Sequence, residues 1–223
     1  MNDLTPQSLR DLAGEVISCR RCPRLVAWRE QVARERKRAY AGEEYWGRPI
    51  PGFGDPAARV LILGLAPAAH GANRTGRIFT GDRSGDWLFA ALHRTAFANQ
   101  PTSTHRGDGL RLTGCFVTAA VRCAPPANRP TPDEREQCLP YLQRELQLLE
   151  QVRVILCLGA FAWAAACSLL QLAPRPRFGH GAEYAPLLGS FHPSQQNTFT
   201  GRLTEPMTDA VLLRARELAS LPG

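Results

Sequence analysis

Four apolar runs lie at residues 59–67 (RVLILGLAP), 115–125 (CFVTAAVRCAP), 152–159 (VRVILCLG) and 184–194 (YAPLLGSFHPS), with room for a helix between successive runs. No other feature of the chain constrains its fold as strongly. The first three are Val-, Ile- and Leu-rich without polar alternation, the mark of strands buried on both faces. Helical stretches are expected near residues 84–97, 131–150 and 160–171, and a last one at 204–221 closes the chain. The pattern reads βαβαβαβ, an α/β fold. Parallel neighbours require right-handed crossovers, so helices should cover both faces of a parallel sheet, and ligands should bind beyond the carboxyl ends of its strands.

Those ends carry the unusual residues: GLAPAAHGANRTGRIFTGDRSG after the first run, VRCAPPANRPTP after the second and GSFHPSQQNTFTGRLT after the fourth. Glycine, proline, histidine, asparagine and arginine are gathered on one edge, more than turn chemistry alone requires. Upstream, Thr5 and Pro6 read as an N-cap followed by proline at the first helical position. The helix they introduce should end near Cys19 and Cys22, followed by a charged helix-compatible stretch (25–40) and a long ordered loop (42–56). Thr131 to Glu134 fits a capping box, and Pro140 should kink the helix that follows.

A chain of 223 residues buries roughly 70% of its unfolded surface, enough for one domain with its own core. Residues 1–223 are therefore read as a single domain, with residues 1–55 as its N-terminal segment. The apolar run at 154–170 divides at Gly159 into a strand and a helix, so no membrane span is expected. The N-terminus lacks a basic region followed by an apolar one, which points to a cytoplasmic protein. Basic residues outnumber acidic ones 27 to 20, a net charge of +7, and all but Lys37 are arginine. The guanidinium fork suits phosphate oxygens, so an anionic partner is expected.

Seven cysteines without a secretory signal argue for a metal or for core packing rather than disulfides. Cys19 and Cys22 form a C-x2-C, and Cys123 and Cys138 are a second pair that could converge with it. Spacing alone leaves zinc and an iron-sulfur cluster equally open, and the second pair could also be core. Cys115, Cys157 and Cys167 lie inside apolar runs and read as core residues.

GLAPAAHGANRTGRIFTGD, the AAVRCAPP turn and HPSQQNTFTGRLT together resemble the uracil-DNA glycosylase superfamily over nearly the whole chain. Within it, the sequence is most similar to the family 5, B-type enzymes of bacteria and archaea. The resemblance implies a three-layer α/β/α sandwich around a four-stranded parallel sheet, and a structural [4Fe-4S] cluster on Cys19, Cys22, Cys123 and Cys138. It further implies a monofunctional DNA glycosylase of base-excision repair. This would be a monomer that hydrolyses the N-glycosidic bond of uracil and of the deaminated purines hypoxanthine and xanthine in double-stranded DNA.

Departures from the family pattern bear on selectivity. Leu65 and Ala66 stand where the best-studied members carry a polar group beside the first-motif proline. Ala119 falls where uracil-strict members place an asparagine. Such a pocket should be less selective. By resemblance, the catalytic residues are Asp82, His192 and Asn128. His192 would donate to the oxygen on which the leaving base's negative charge forms. Asp82 would hold the water and favour the sugar cation, or cap a helix. Asn128 would place water or base, or form a turn. Phe79 is the candidate stacking wall, and Ala66, Ala68, His70 and Ala119 complete the base pocket. DNA contacts are expected from Pro193, Ser194, Gln195, Gln196, Asn197, Arg202 and Arg74. Arg77, Arg175, Arg177 and the 34–38 run are further phosphate candidates. A uracil-strict glycosylase and a non-catalytic metal-bearing nucleic-acid binder are the alternatives.

Overall fold

A computed structural model describes residues 8–220. Helix α1 (Leu9–Ser18) is followed by α2 (Pro23–Glu35), β1 (Phe53–Gly54) and β2 (Val60–Gly64). A single-turn helix α3 (Ala72–Thr75) precedes α4 (Arg83–Arg94), β3 (Cys115–Ala119), α5 (Pro132–Leu148), β4 (Val154–Leu158) and α6 (Ala160–Leu169). The chain ends with β5 (Glu183–Tyr184), β6 (Leu187–Ser190), α7 (Gln195–Phe199) and α8 (Glu205–Ser220).

The sheet has six strands in the order β1-β3-β2-β4-β6-β5. Its centre is the expected parallel set, β3-β2-β4-β6. Each edge carries an added two-residue antiparallel strand, so the sheet is mixed rather than four-stranded and parallel. One edge strand, β1, lies in the segment read as loop. The other, β5, comes from the start of the fourth apolar run, whose parallel part is only β6. Such stubs are too short to show a period-2 pattern.

Side chains alternate between two cores. Val60 and Ile62 of β2, Val117 and Ala119 of β3, and Leu156 and Leu158 of β4 pack with Leu88, Phe89 and Leu92 of α4 and Val211, Leu212 and Ala215 of α8. Leu61, Leu63, Phe116, Ile155 and Cys157 face the other way, onto Leu142 of α5 and Ala162, Trp163 and Ala166 of α6. Continuous apolar strands sandwiched between two layers of helices are the result. Cys115, Cys157 and Cys167 are core residues. Among the described residues, no helix is long and apolar enough to cross a membrane.

Local signals set the helix boundaries. Ser8 caps α1, its side chain accepting from the Asp11 N–H while the Asp11 carboxylate accepts from the Ser8 N–H. The proposed Thr5–Pro6 start lies outside the described residues, and the helical backbone begins at Leu9. Thr131 and Glu134 form the expected capping box of α5, and α5 runs on across Pro140 to Leu148. Gly159, with φ +95°, turns β4 into α6.

Between β3 and α5 lies a buried ion pair. Arg122 Nη1 donates to Glu145 Oε1 at 2.9 Å, and Nη2 donates to Oε2. Thr118 Oγ1 and the Gly52 N–H also donate to this carboxylate. Removing the acid leaves a buried cation and two donors unsatisfied. Glu145→Ala should therefore lower stability by about 3–5 kcal/mol, read by denaturant unfolding. A loss under about 1 kcal/mol would mean that the pair is not the brace described.

Candidate active site

Parallel strands end together, and their carboxyl ends form the floor of the site. Gly64 pairs with Ala119 across β2 and β3. The ladder continues with Ala120 N–H donating to Gly64 O and Val121 N–H to Leu65 O. On the other side Leu158 pairs with Ser190. The loops leaving these ends enclose a cleft of about 590 Å³ lined by Leu65, Ala66, Ala68, Ile78, Phe79, Asp82, Arg83, Ser84, Ala119, Asn128, His192, Ser194, Gln195 and Gln196. That volume suits a small ligand or a single nucleoside.

Asp82 is both lining and cap. Its Oδ1 accepts from the Gly85 N–H at 3.0 Å, making it the N-cap of α4, so the two readings of this residue coexist. Burial raises its pKa above the ordinary aspartate value, and hydrogen bonds from Gly85 and Ser84 oppose the shift. The carboxyl group rests on Gly71, where an added Cβ would overlap it.

Phe79 is 9% exposed and sits at φ +52°, a strained conformation for a bulky residue that persists only where its surroundings enforce it. Two glycines do so. A Cβ on Gly64 would stand 2.6 Å from the Phe79 ring, and one on Gly85 would collide with the Phe79 carbonyl. The ring tilts against His192, with centroids 5.8 Å apart.

His192 packs its Cβ against Gly159, and its carbonyl accepts from Asn197 Nδ2 at 2.8 Å. Burial lowers its pKa to about 4, so the imidazole is neutral at physiological pH, with one ring nitrogen as a donor. Asn128 sits exposed on the rim at φ +55°, a turn residue that also lines the cleft.

Several expected site residues lie elsewhere. His70 does not line the cleft, and its Nδ1 hydrogen-bonds Tyr45 Oη at 3.0 Å. Arg74, expected on DNA, is largely buried, donating to the carbonyls of His70 and Gly81 and to the Glu43 carboxylate. It braces the turn from inside. Arg77 is likewise buried against Asp108. Asn197 points back to His192 and Pro193 is buried, whereas Arg202 stays exposed with its guanidinium 4.6 Å over the Phe191 ring. Ser194, Gln195 and Gln196 do face the cleft, and Arg175 and Arg177 are exposed. A loop sequence does not show which arginines turn inward to satisfy carbonyls.

The sequence reading missed Arg83 on the cleft wall. Its guanidinium lies 5.2 Å over the ring of Phe199, which is 67% exposed. An aromatic residue in the polar stretch QQNTFTGR was the available signal.

Away from the cleft, Cys19, Cys22, Cys123 and Cys138 line one small cavity with Arg29, Arg122 and Tyr141. All four thiols are free. Burial raises Cys22 to about 11 and Cys123 to about 12. Burial likewise raises Cys138 above the ordinary thiol value, opposed by the nearby Arg122. Arg29 Nη1 donates to Cys123 Sγ at 2.9 Å. Four soft donors around one cavity, with a guanidinium N–H aimed at sulfur, suit a thiolate-ligated group. Among the described residues, no three of the His, Cys, Asp and Glu side chains are arranged to hold a single metal ion.

The chain belongs to the uracil DNA glycosylase superfamily, whose family model matches residues 51–216. It is similar to type-5 uracil-DNA glycosylases: 54% identical to one from Mycobacterium bovis, over 96% of this chain and 83% of the relative. Identity is 53% with one from Thermus thermophilus, over 92% and 95% of the two chains. With one from Pyrobaculum aerophilum it is 44%, over 92% and 91%.

Two outcomes test this site. Because the folded pKa of His192 is depressed below the ordinary 6.5, the unfolded chain takes up this proton first as pH falls. The native state therefore loses stability from His192 between pH 6.5 and about 4, and none above 6.5. Its ring resonances in NMR should keep neutral shifts down to about pH 5; titration near 6.5 would show an open imidazole. Gly64→Ala should push the Phe79 ring out of place and lower stability by about 1–3 kcal/mol, measured by thermal unfolding. A variant as stable as the parent would mean the ring is loosely held.

Proposed function

We propose that the protein is a monofunctional DNA glycosylase that releases uracil, hypoxanthine and xanthine from double-stranded DNA, leaving an abasic site. The observation that carries this is the convergence of Asp82, His192 and Phe79 on one cleft at the strand ends of a uracil DNA glycosylase superfamily chain. The similar type-5 relatives are named for uracil, and the broader range rests on the cleft itself. Ala66 and Ala119 offer no hydrogen-bonding side chain to tell one base edge from another. Phe79 offers a flat wall on which any base stacks.

In this reading the target nucleotide is everted from the duplex into the cleft, the cheapest step at mispaired or damaged positions. Cleavage builds positive charge on the sugar and negative charge on the departing base. The neutral His192 donates a hydrogen bond to the base oxygen that gains electrons, without first having to lose a proton. Asp82, held by the N-terminus of α4, accepts a proton from the attacking water and lowers the energy of the sugar cation. Water oxygen bonds to the sugar carbon as the glycosidic bond breaks, and the base leaves with the electron pair. Asn128 on the rim positions water or base. Gln195 and Gln196 fill the space the base vacates, and Ser194 and Arg83 contact the backbone. None of the cleft-lining residues is a lysine, so the abasic site is left unclipped.

The four cysteines are proposed to carry a structural [4Fe-4S] cluster. Cys19, Cys22, Cys123 and Cys138, which line one cavity, would each supply a thiolate to hold it. The cluster would tie α1 and α2 to the end of β3 and to α5, and glycosyl transfer itself requires no electron. The protein would act as a monomer.

The test is single-turnover base release from duplexes carrying uracil, hypoxanthine or xanthine. Asp82→Asn should lose about 10²- to 10⁴-fold and His192→Ala about 10²- to 10³-fold, both with DNA binding retained. The rate should fall in acid as Asp82 protonates, with a midpoint above the ordinary aspartate value. Release of uracil alone would establish the strict enzyme. Binding without any release would leave only a nucleic-acid-binding module.

A further inference from the structure

We infer that Arg29 is the counter-charge and hydrogen-bond donor that sets the reduction potential and iron retention of the group held by the four cysteines. This rests on the cluster reading above. Arg29 lies on α2, outside the active-site cleft, and is 2% exposed. Its Nη1 donates to Cys123 Sγ at 2.9 Å and its Nη2 to the Cys19 carbonyl at 3.3 Å. Two of the four proposed ligand residues thus meet one guanidinium.

What sets Arg29 apart is how loosely a carboxylate engages it. Arg122, equally buried beside the same cavity, is bidentate to Glu145, and Arg24 is bidentate to Glu134. The acid nearest Arg29 is Glu30, 3.8 Å from Nη2 and itself hydrogen-bonded to Arg20. Arg29 Nε has no partner. A guanidinium stays charged at any pH a protein survives, and burying it uncompensated is strongly unfavourable. Glu30 is shared with Arg20 and stands at long range, while the closer contact of Arg29 is to Cys123 Sγ, where ligated thiolates would supply the further negative charge.

A positive donor on a ligand sulfur stabilises the more electron-rich state of a cluster, because added electron density falls on the iron–sulfur framework the donor faces. Arg29 should accordingly hold the potential up and keep iron bound. The helix that carries it is anchored, since Asn73 Nδ2 donates to the Arg29 carbonyl at 3.2 Å and ties α2 to the turn that leads from the cleft. Arg29 is a positioning residue and touches no part of the proposed substrate site.

The experiment is a redox titration of iron-loaded protein with parallel measurement of iron loss to a chelator. Arg29→Met should move the midpoint to more negative potential and release iron faster. Arg29→Lys, which keeps the charge but not the fork, should fall between that variant and the parent. Arg34→Met, on the exposed side of the same helix, should match the parent. Should Arg29→Met fail to fold, Arg29→Gln replaces it with the same expected direction. An unmoved midpoint and unchanged iron loss in the Arg29 variants would overturn the role of Arg29 while leaving the cluster standing. A parent protein purified with zinc, or without iron and sulfide, would overturn both.

Discussion

Everything at the cleft depends on four parallel strands stopping at the same level. Because β2, β3, β4 and β6 run the same way and in tight register, the chain must leave the sheet at one edge several times over. Each exit places a different loop beside the others. Phe79 and Asp82 arrive after β2, Ala119 ends β3 and is followed by Asn128, and His192 follows β6. These three groups come from separate stretches of the chain, and the shared edge brings them together. The Arg122–Glu145 pair secures that edge from beneath, joining the segment just past β3 to α5 and drawing in Thr118 and Gly52.

Electrostatics at the edge follow from burial more than from pairing. The enclosure that strips His192 of its proton also raises Asp82, and the two shifts act in complementary directions. The ring is a donor without carrying charge, while the carboxyl group is made a better proton acceptor than an exposed aspartate. A helix N-terminus keeps that carboxylate from being an isolated buried charge. On the far side of α3, Arg29 meets the cysteines, and Asn73 joins that corner to the loop between β2 and α4. One side-chain hydrogen bond thus links α2 to the loop that lines the cleft.

The central layer could be read from sequence because burial on both faces leaves a strong signal. Val-, Ile- and Leu-rich runs at helix-sized spacing have few other folds open to them. The edge strands β1 and β5 could not be read, being two residues long and fixed by tertiary contact alone. At the site, the residues carried by motifs, Asp82, His192, Phe79, Ala119 and Asn128, do line one cleft. Arginines and loop histidines were harder. Arg74 and His70 sit in the same motif as the pocket, yet one satisfies carbonyls within the turn and the other pairs with Tyr45. Residue type tells what a side chain can bond, while the direction it takes is settled by carbonyls left unpaired in a tight loop. Arg83 escaped notice for the opposite reason: its partner, Phe199, is distant in sequence.

Gly64, Gly71 and Gly85 act here as a mould. Each is occupied from outside, by the Phe79 ring, the Asp82 carboxyl group and the Phe79 carbonyl in turn, so the cleft wall is shaped by three missing methyl groups. Every missense change at a glycine codon restores a Cβ. Mutation at these three codons would therefore deform the cleft without altering any side chain that lines it.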